Sequence, residues 1–225
     1  SSNVIVGALA GDAITDATVN TLIGYQAGTS LTSGSANVAI GYLALATEDG
    51  HGRNIAIGQQ ALEDLNAGLN ANNIAIGYDC GKQMTTGTLN TIIGNQAGDT
   101  LTEGNTNVVM GYHALGSETL GDRNVAIGTY ALQNQNNTSD TDAYNVAVGY
   151  GSGQSITTGT LNTIMGGLAG DQVTTAGENV LIGYDSGGAL TIGGSNVAIG
   201  TYALNAETEH GRNVAVGHEA LGSLN

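Results

Sequence analysis

This 225-residue chain has no proline, no phenylalanine and no tryptophan, one cysteine and only four basic residues. Each absence excludes something. Without Phe or Trp the apolar content is Ala, Val, Ile and Leu, which fill a thin core but not a wide one. Cys80 stands alone, so no internal disulfide forms, and a cysteine-based zinc site is excluded. Nineteen acidic residues against four basic ones give a net charge of -15, which repels nucleic-acid phosphates and anionic membrane surfaces, so no nucleic-acid partner is expected. No apolar run approaches the length of a membrane span and the N-terminus lacks the layout of a signal peptide, so no membrane insertion by this segment is expected.

What is present is repetition. The phrase NVAIGYLAL at 37–45 returns as NVAIGTYAL at 124–132 and again at 196–204. Anchored on its asparagine, the repeat begins at Asn3, Asn20, Asn37, Asn54, Asn73, Asn90, Asn107, Asn124, Asn145, Asn162, Asn179, Asn196 and Asn213. The spacing is 17 residues except for one step of 19 and one of 21. Four residues after each anchor stands glycine: Gly7, Gly24, Gly41, Gly58, Gly77, Gly94, Gly111, Gly128, Gly149, Gly166, Gly183, Gly200 and Gly217. Between them lie β-branched and apolar residues, which read as a short strand ended by a turn. The glycine content and the lack of a 3.6-residue period exclude a helix.

The fold class implied is all-β: a parallel β-solenoid, or β-roll, of about thirteen 17-residue coils forming a single array over 1–225. Each coil climbs one strand spacing, so twelve steps of about 4.8 Å give a rod of roughly 58 Å. Like residues then stack on like. The asparagines are expected to hydrogen-bond amide to amide along a column, and the glycines to turn the chain out of the strand or admit a neighbouring backbone. The seventh residue after the anchor is small throughout, Cys80 among them, and faces a tight space.

Two coil types alternate in blocks. Where the eighth residue is Gly11, Gly28, Gly81, Gly98, Gly153, Gly170 or Gly187, the eleventh is Ile14, Leu31, Met84, Leu101, Ile156, Val173 or Leu190. Where the eighth is Leu45, Leu115, Leu132 or Leu204, the eleventh is Glu48, Glu118, Gln135 or Glu207. Leu62 with Leu65, and Leu221 with Leu224, supply both. One bulky group per coil is therefore delivered from either of two addresses into one limited space. The longer coils at Asn54 and Asn124 are expected to carry their extra residues as surface loops.

Three glutamates each precede an arginine by five residues, and Glu48 with Arg53, Glu118 with Arg123 and Glu207 with Arg212 are expected to form ion-pair clips, within a chain or between chains. Along each strand the first and third residues, always β-branched or Met, face one way and the second, apolar throughout, faces the other. A strand apolar on both faces is normally covered on both. One thin coil has one interior, so other copies are expected to cover the remaining side, most economically as a closed threefold homotrimer.

The strings NVAIGYLAL, NIAIGQQAL, NVVMGYHAL and NVAVGHEAL resemble the head repeats of trimeric autotransporter adhesins and, equally, repeats in the shafts of bacteriophage tail fibres. The resemblance covers all thirteen units. It implies a rigid extracellular stalk or head, on a virion tail fibre or a bacterial cell surface, that gives reach and display for attachment. A cell-surface glycan or protein receptor would be met at a tip outside this segment. The chain opens just before an anchor and stops in mid-unit, so it is expected to be a segment of a longer fibre.

Chemistry is sparse. His51, His113, His210 and His218 have no histidine partner at ligand spacing, and HGRN at 51–54 and 210–213 would gather a metal only if three copies faced an axis. No enzyme activity, cofactor or metal is expected. Asp12, Asp99, Asp171, Glu103 and Glu178 read as a solvated face. Tyr25, Tyr42, Tyr78, Tyr112, Tyr150 and Tyr184, with Tyr130 and Tyr202 one place later, read as covers over the joints; stacking on sugar rings is the alternative. Threonines at 15, 32, 85, 102, 157, 174 and 191 form a single interrupted column, unlike the paired ranks of ice-binding surfaces.

Overall fold

The computed structural model describes residues 2–222. The chain winds as a stacked series of near-identical coils, each contributing one three-residue strand to a single parallel sheet. In chain order the strands are β1 (Val4–Val6), β2 (Thr21–Ile23), β3 (Val38–Ile40), β4 (Ile55–Ile57), β5 (Ile74–Ile76), β6 (Thr91–Ile93), β7 (Val108–Met110), β8 (Gly121–Asp122), β9 (Val125–Ile127), β10 (Thr141–Asp142), β11 (Val146–Val148), β12 (Thr163–Met165), β13 (Val180–Ile182), β14 (Val197–Ile199) and β15 (Val214–Val216). All but β8 and β10 join the 13-stranded sheet in sequence order, and those two pair with each other. The solenoid of about thirteen coils is as the period predicts.

Register is like on like. Val4 pairs with Thr21, Ile5 with Leu22, and the pattern holds across the longer coil, where Val125 pairs with Val146. The surplus residues of the two extended coils leave the stack as exposed loops, around 68–70 and 138–140, before the chain returns to register. The second loop is tied down by the two-residue β8–β10 pairing.

The anchor asparagines from Asn20 to Asn196 are buried and the two end ones partly so, and their column runs without a break from Asn3 to Asn213. The main bond differs from the amide-to-amide contact expected. Each asparagine Oδ1 accepts the backbone N–H of the next anchor, at 2.9 Å for Asn20 on Asn3 and still 3.3 Å across the 21-residue step from Asn124 to Asn145. The Nδ2 group usually donates to a carbonyl 14 residues on, as Asn90 does to Gly104 at 2.8 Å. Direct amide-to-amide bonds accompany these at several steps, such as Asn107 to Asn90 at 3.2 Å. One side chain therefore satisfies a backbone donor in the next coil and a carbonyl that closes its own.

The glycine after each strand meets two demands at once. At Gly94 φ is +136°, and a Cβ would stand 2.6 Å from the carbonyl oxygen of Gly111 in the next coil. No other residue fits both the turn and the approach. Elsewhere the coil uses left-handed positions that do not always carry glycine: the residue before each anchor from Asn20 on, the sixth after each anchor, and the eighth, where glycine alternates with leucine, have φ near +50 to +66°. Val19, Ala36 and Leu89 sit there, as do the core leucines Leu45 and Leu132. Such conformations cost roughly 1–2 kcal/mol each. Burial of a leucine, about 1.5–3 kcal/mol, offsets that cost at the eighth position.

The core is one side chain wide. Leu31, Met84, Leu101 and Ile156 fill it from the eleventh position and Leu45, Leu62, Leu115 and Leu132 from the eighth, all fully buried. Leu224 lies outside the described residues. A third address shares this space, the strand's middle residue. Gly28 is required because Leu22 occupies its place, a Cβ there falling 2.9 Å from Leu22 Cδ2. Where the strand centre is Ala39, Ala56, Ala126 or Ala198, the eighth residue is leucine. Cys80 is fully buried, its Sγ 3.2 Å from the Ile92 carbonyl, and burial pushes the thiol up to about 12. It is an inert small side chain, as its column predicts.

Two substitutions separate these effects in urea unfolding. Gly94→Ala is expected to lose at least about 3 kcal/mol, because strain and overlap add. Val19→Asn, at an exposed left-handed position, is expected to gain about 0.5–1 kcal/mol, and a loss there would show that the left-handed turn carries no strain.

Candidate functional site

The coil sorts its side chains into two outer surfaces. The first and third strand residues point outward and remain partly exposed: Val108 is 38 % and Met110 42 % accessible, while Val109 between them is fully buried. From the first to the fifth residue after every anchor there is no Asp, Glu, Lys or Arg in any coil. All nineteen acidic residues lie elsewhere around the coil. The result is a continuous uncharged strip along the rod, about 10 Å wide from three residues per strand and roughly 58 Å long. The inner face needs no second chain, because each coil's own turns cover it. The outer strip is the side left wet.

Aromatic rings edge this strip. Tyr25 and Tyr42 stack with centroids 5.7 Å apart. Tyr112, His113, Tyr130 and Tyr150 form a continuous group over three coils, with Tyr112–Tyr130 at 5.6 Å and Tyr130–Tyr150 at 6.0 Å. These ring pairs span the joints between successive coils, and Tyr25, Tyr42, Tyr112 and Tyr150 still stand about half exposed. The threonine hydroxyls, by contrast, are turned along the rod. Thr102 Oγ1 donates to the Thr119 carbonyl at 3.0 Å and Thr191 Oγ1 to that of Thr208 at 2.8 Å. A hydroxyl engaged in this way has less to offer a surface lattice of water.

The three ion-pair clips do not form within the chain. Glu48 and Glu118 are fully buried and Glu207 nearly so, whereas Arg53, Arg123 and Arg212 are exposed. The geometry explains the correction: the eleventh position points inward, and each arginine occupies a left-handed residue, φ 59 to 66°, that aims it away from the core. Arg123 instead pairs with Asp142 of the inserted loop and lies 5.6 Å from the Tyr144 ring centre. Lys82 bridges Glu63 and Asp79 at 3.7 and 3.8 Å. Only the proximity of residues in sequence suggested the clips, and proximity in sequence does not tell inward from outward.

The inward glutamates cap turns. Glu118 Oε1 accepts the N–H groups of Thr119, Leu120, Gly121 and Asn137, and its Oε2 accepts Gln135 Nε2 and Asn137 Nδ2. Glu207 takes the N–H groups of Thr208, Glu209 and His210, which pull its carboxyl down to about 2 against the opposing effect of desolvation. Glu48 accepts the His51 N–H at 3.0 Å and contacts His51 Nδ1 at 3.2 Å, but its Oε2 has no partner. Burial raises its pKa above the ordinary 4.5.

The presumed solvated face is only partly so. Asp12, Glu103 and Glu178 are exposed, but Asp99 and Asp171 are half-buried with one oxygen each unpartnered. Asp12 has Thr29 above it, donating at 2.8 Å; above Asp99 and Asp171 the same place holds Gly116 and Gly188. A shallow hollow of about 190 Å³ beside the inserted loop is lined by Thr86, Glu103, Asn105, Leu120 and Asp140. Among the described residues no helix is long and apolar enough to cross a membrane.

Comparison of the chain with protein families, with curated proteins and with solved structures returns no match.

A pH dependence follows from the buried acids. Burial raises the pKa of Asp99 and Asp171 above 3.8, with the nearby Asp185 adding to the rise at Asp171. A group raised on folding stabilises the fold fully below its unfolded pKa and loses that contribution as pH climbs through the folded value. Glu207, pulled down, stays ionised in both states above pH 5 and is silent there. The thermal midpoint is expected to rise as pH is lowered toward the carboxylate range, and that rise to shrink in the Asp99→Asn, Asp171→Asn double variant, leaving the part due to Glu48 and Asp122, whose pKa values burial also raises. An unchanged rise would remove these two acids as the cause.

Proposed function

We propose that this chain is a shaft or head segment of an extracellular trimeric attachment fibre, whose work is mechanical reach and display. The observation that carries the reading is the charge-free outer strip on a chain of net charge -15. A surface that excludes every charged residue over the full length of an acidic rod is a surface kept for contact, since isolated exposed apolar residues are common but a long contiguous strip is not. The partner that fits is another copy. Two such rods repel through their acidic sides and meet without repulsion only along this strip. Three copies around an axis bury all three strips and leave no open lateral edge, whereas an open arrangement would continue sideways.

The repeat phrase itself supports the same reading through its resemblance to adhesin heads and phage fibre shafts. A phage tail fibre and a bacterial surface adhesin are both consistent with it. In either setting the segment makes no chemistry of its own and holds a tip away from its base.

The test uses charge on the strip. Met110→Glu with Met165→Glu places carboxylates at positions that are partly exposed in one chain, where they cost little, but that would be buried and unpaired in the assembly. Light scattering is expected to give about 67 kDa for the unaltered protein, three times 22.4 kDa, and the single-chain mass for the double variant with its β spectrum retained. A single-chain mass before substitution, or an assembly indifferent to it, contradicts the reading.

A second reading has one observation in its favour, the partly exposed group of Tyr112, His113, Tyr130 and Tyr150. Tyrosine faces stack on sugar rings, and the side of the rod would then bind a cell-surface glycan itself. Saturable glycan binding lost in Tyr112→Ala with Tyr130→Ala supports this reading; a stable rod that binds neither cells nor sugars supports the first.

A further inference from the structure

We propose that Glu48, Asp49 and His51 form a binding site for one divalent transition cation, of the zinc or manganese type, contrary to the expectation that the chain holds no metal. The three side chains converge at the turn that closes the third coil. One ligand atom from each lies within 4.8 Å of the others. Glu48 Oε1 stands 3.2 Å and Asp49 Oδ1 3.8 Å from His51 Nδ1. A cation bound at about 2.0–2.2 Å from its ligands holds neighbouring donor atoms roughly 3–3.6 Å apart, so only small side-chain movements separate this arrangement from a coordinated one. One imidazole with two carboxylates is a donor set that suits zinc, manganese and related ions. Asp49 and His51 are open to solvent, and water can complete the shell.

A second and independent feature of the site is the carboxyl of Glu48. It is fully buried, and Oε2 has no hydrogen-bond donor. The cost of such a group is ordinarily met by a partner. Glu118 occupies the same place in its own coil and shows what the partners are: Gln135 Nε2 at 2.9 Å and Asn137 Nδ2 at 2.8 Å, both from the coil above. Above Glu48 those two places hold Leu65 and Ala67. The side-chain amide donors are gone, leaving the Ala67 backbone N–H to act on the carboxyl, and in the same turn Asp49 and His51 stand where the Glu118 turn has Thr119 and Gly121. A cation can draw on both oxygens of one carboxylate, so one bound ion would serve the orphaned oxygen and the imidazole together.

The third glutamate of the column provides a built-in comparison. Glu207 contacts His210 Nδ1 at 3.0 Å in the same way, but Thr208 replaces Asp49, so the third donor is missing. The convergence of all three donors is confined to Glu48, Asp49 and His51 among the described residues. A plain Glu–His contact occurs twice and the full set once.

Zinc chloride and manganese chloride, each alone, are titrated by calorimetry at pH 7.5 into protein first stripped with EDTA, and thermal unfolding is followed in parallel. One ion per chain with a raised midpoint is expected. Asp49→Asn and His51→Ala, both at solvent-open residues, are each expected to weaken binding by at least about tenfold. His210→Ala is expected to leave it unchanged. No saturable binding by either metal overturns the proposal, and so does binding that survives His51→Ala or falls equally in His210→Ala, since both would describe weak association with the acidic surface. Glu48→Gln is not relied on, because a buried position can fail for reasons of folding alone.

Discussion

The bond from each anchor's backbone N–H to the Oδ1 of the asparagine one coil below is the constraint on which the rest of the structure depends. Because the side chain that accepts and the backbone that donates belong to the same position of successive coils, the bond exists only when the coils are in register. It therefore sets the stacking and tolerates a loop of any modest length between anchors, as the 19- and 21-residue coils show. Much of the unusual composition follows. Coils spaced by one strand width bring backbone to backbone, which demands glycine after every strand and leaves an interior too thin for phenylalanine or tryptophan.

Most of this was legible in the residues. The period, the strand before the glycine, the tight column of Cys80 and the exchange of bulk between eighth and eleventh positions all depend on local spacing, which a sequence displays directly. The role of the strand centre was missed although its signal was present: alanine there usually accompanies leucine six residues later, as in Ala39 with Leu45 and Ala126 with Leu132. The inward turn of Glu48, Glu118 and Glu207 was not legible. Charge ordinarily marks the surface, and only the three-dimensional turn shows that a glutamate can cap four N–H groups from within. The left-handed conformations at Val19, Leu45 and Arg53 were also hidden, since none of these residues advertises a positive φ.

The separation of surfaces links the fold to its proposed use. A coil that points polar atoms inward to make its ladder has fewer ways to present charge on the strand side, and the acidic residues gather on the turns. The consequence is a rod with a greasy seam and a charged back. Assembled through the seam, such rods gain stiffness without a wider core. Stability in a stack of this kind is a sum over neighbours, so a single weak coil matters less in the middle of a bundle than in a lone chain.

Hydrogen exchange resolved to single amides tests the ladder most directly. The account predicts that the backbone N–H groups of the interior anchors, Asn37 through Asn196, are the last to exchange and do so together, because each is released only when the stack opens. Anchor amides that exchange as readily as those of the exposed loop around 138–140 would contradict it.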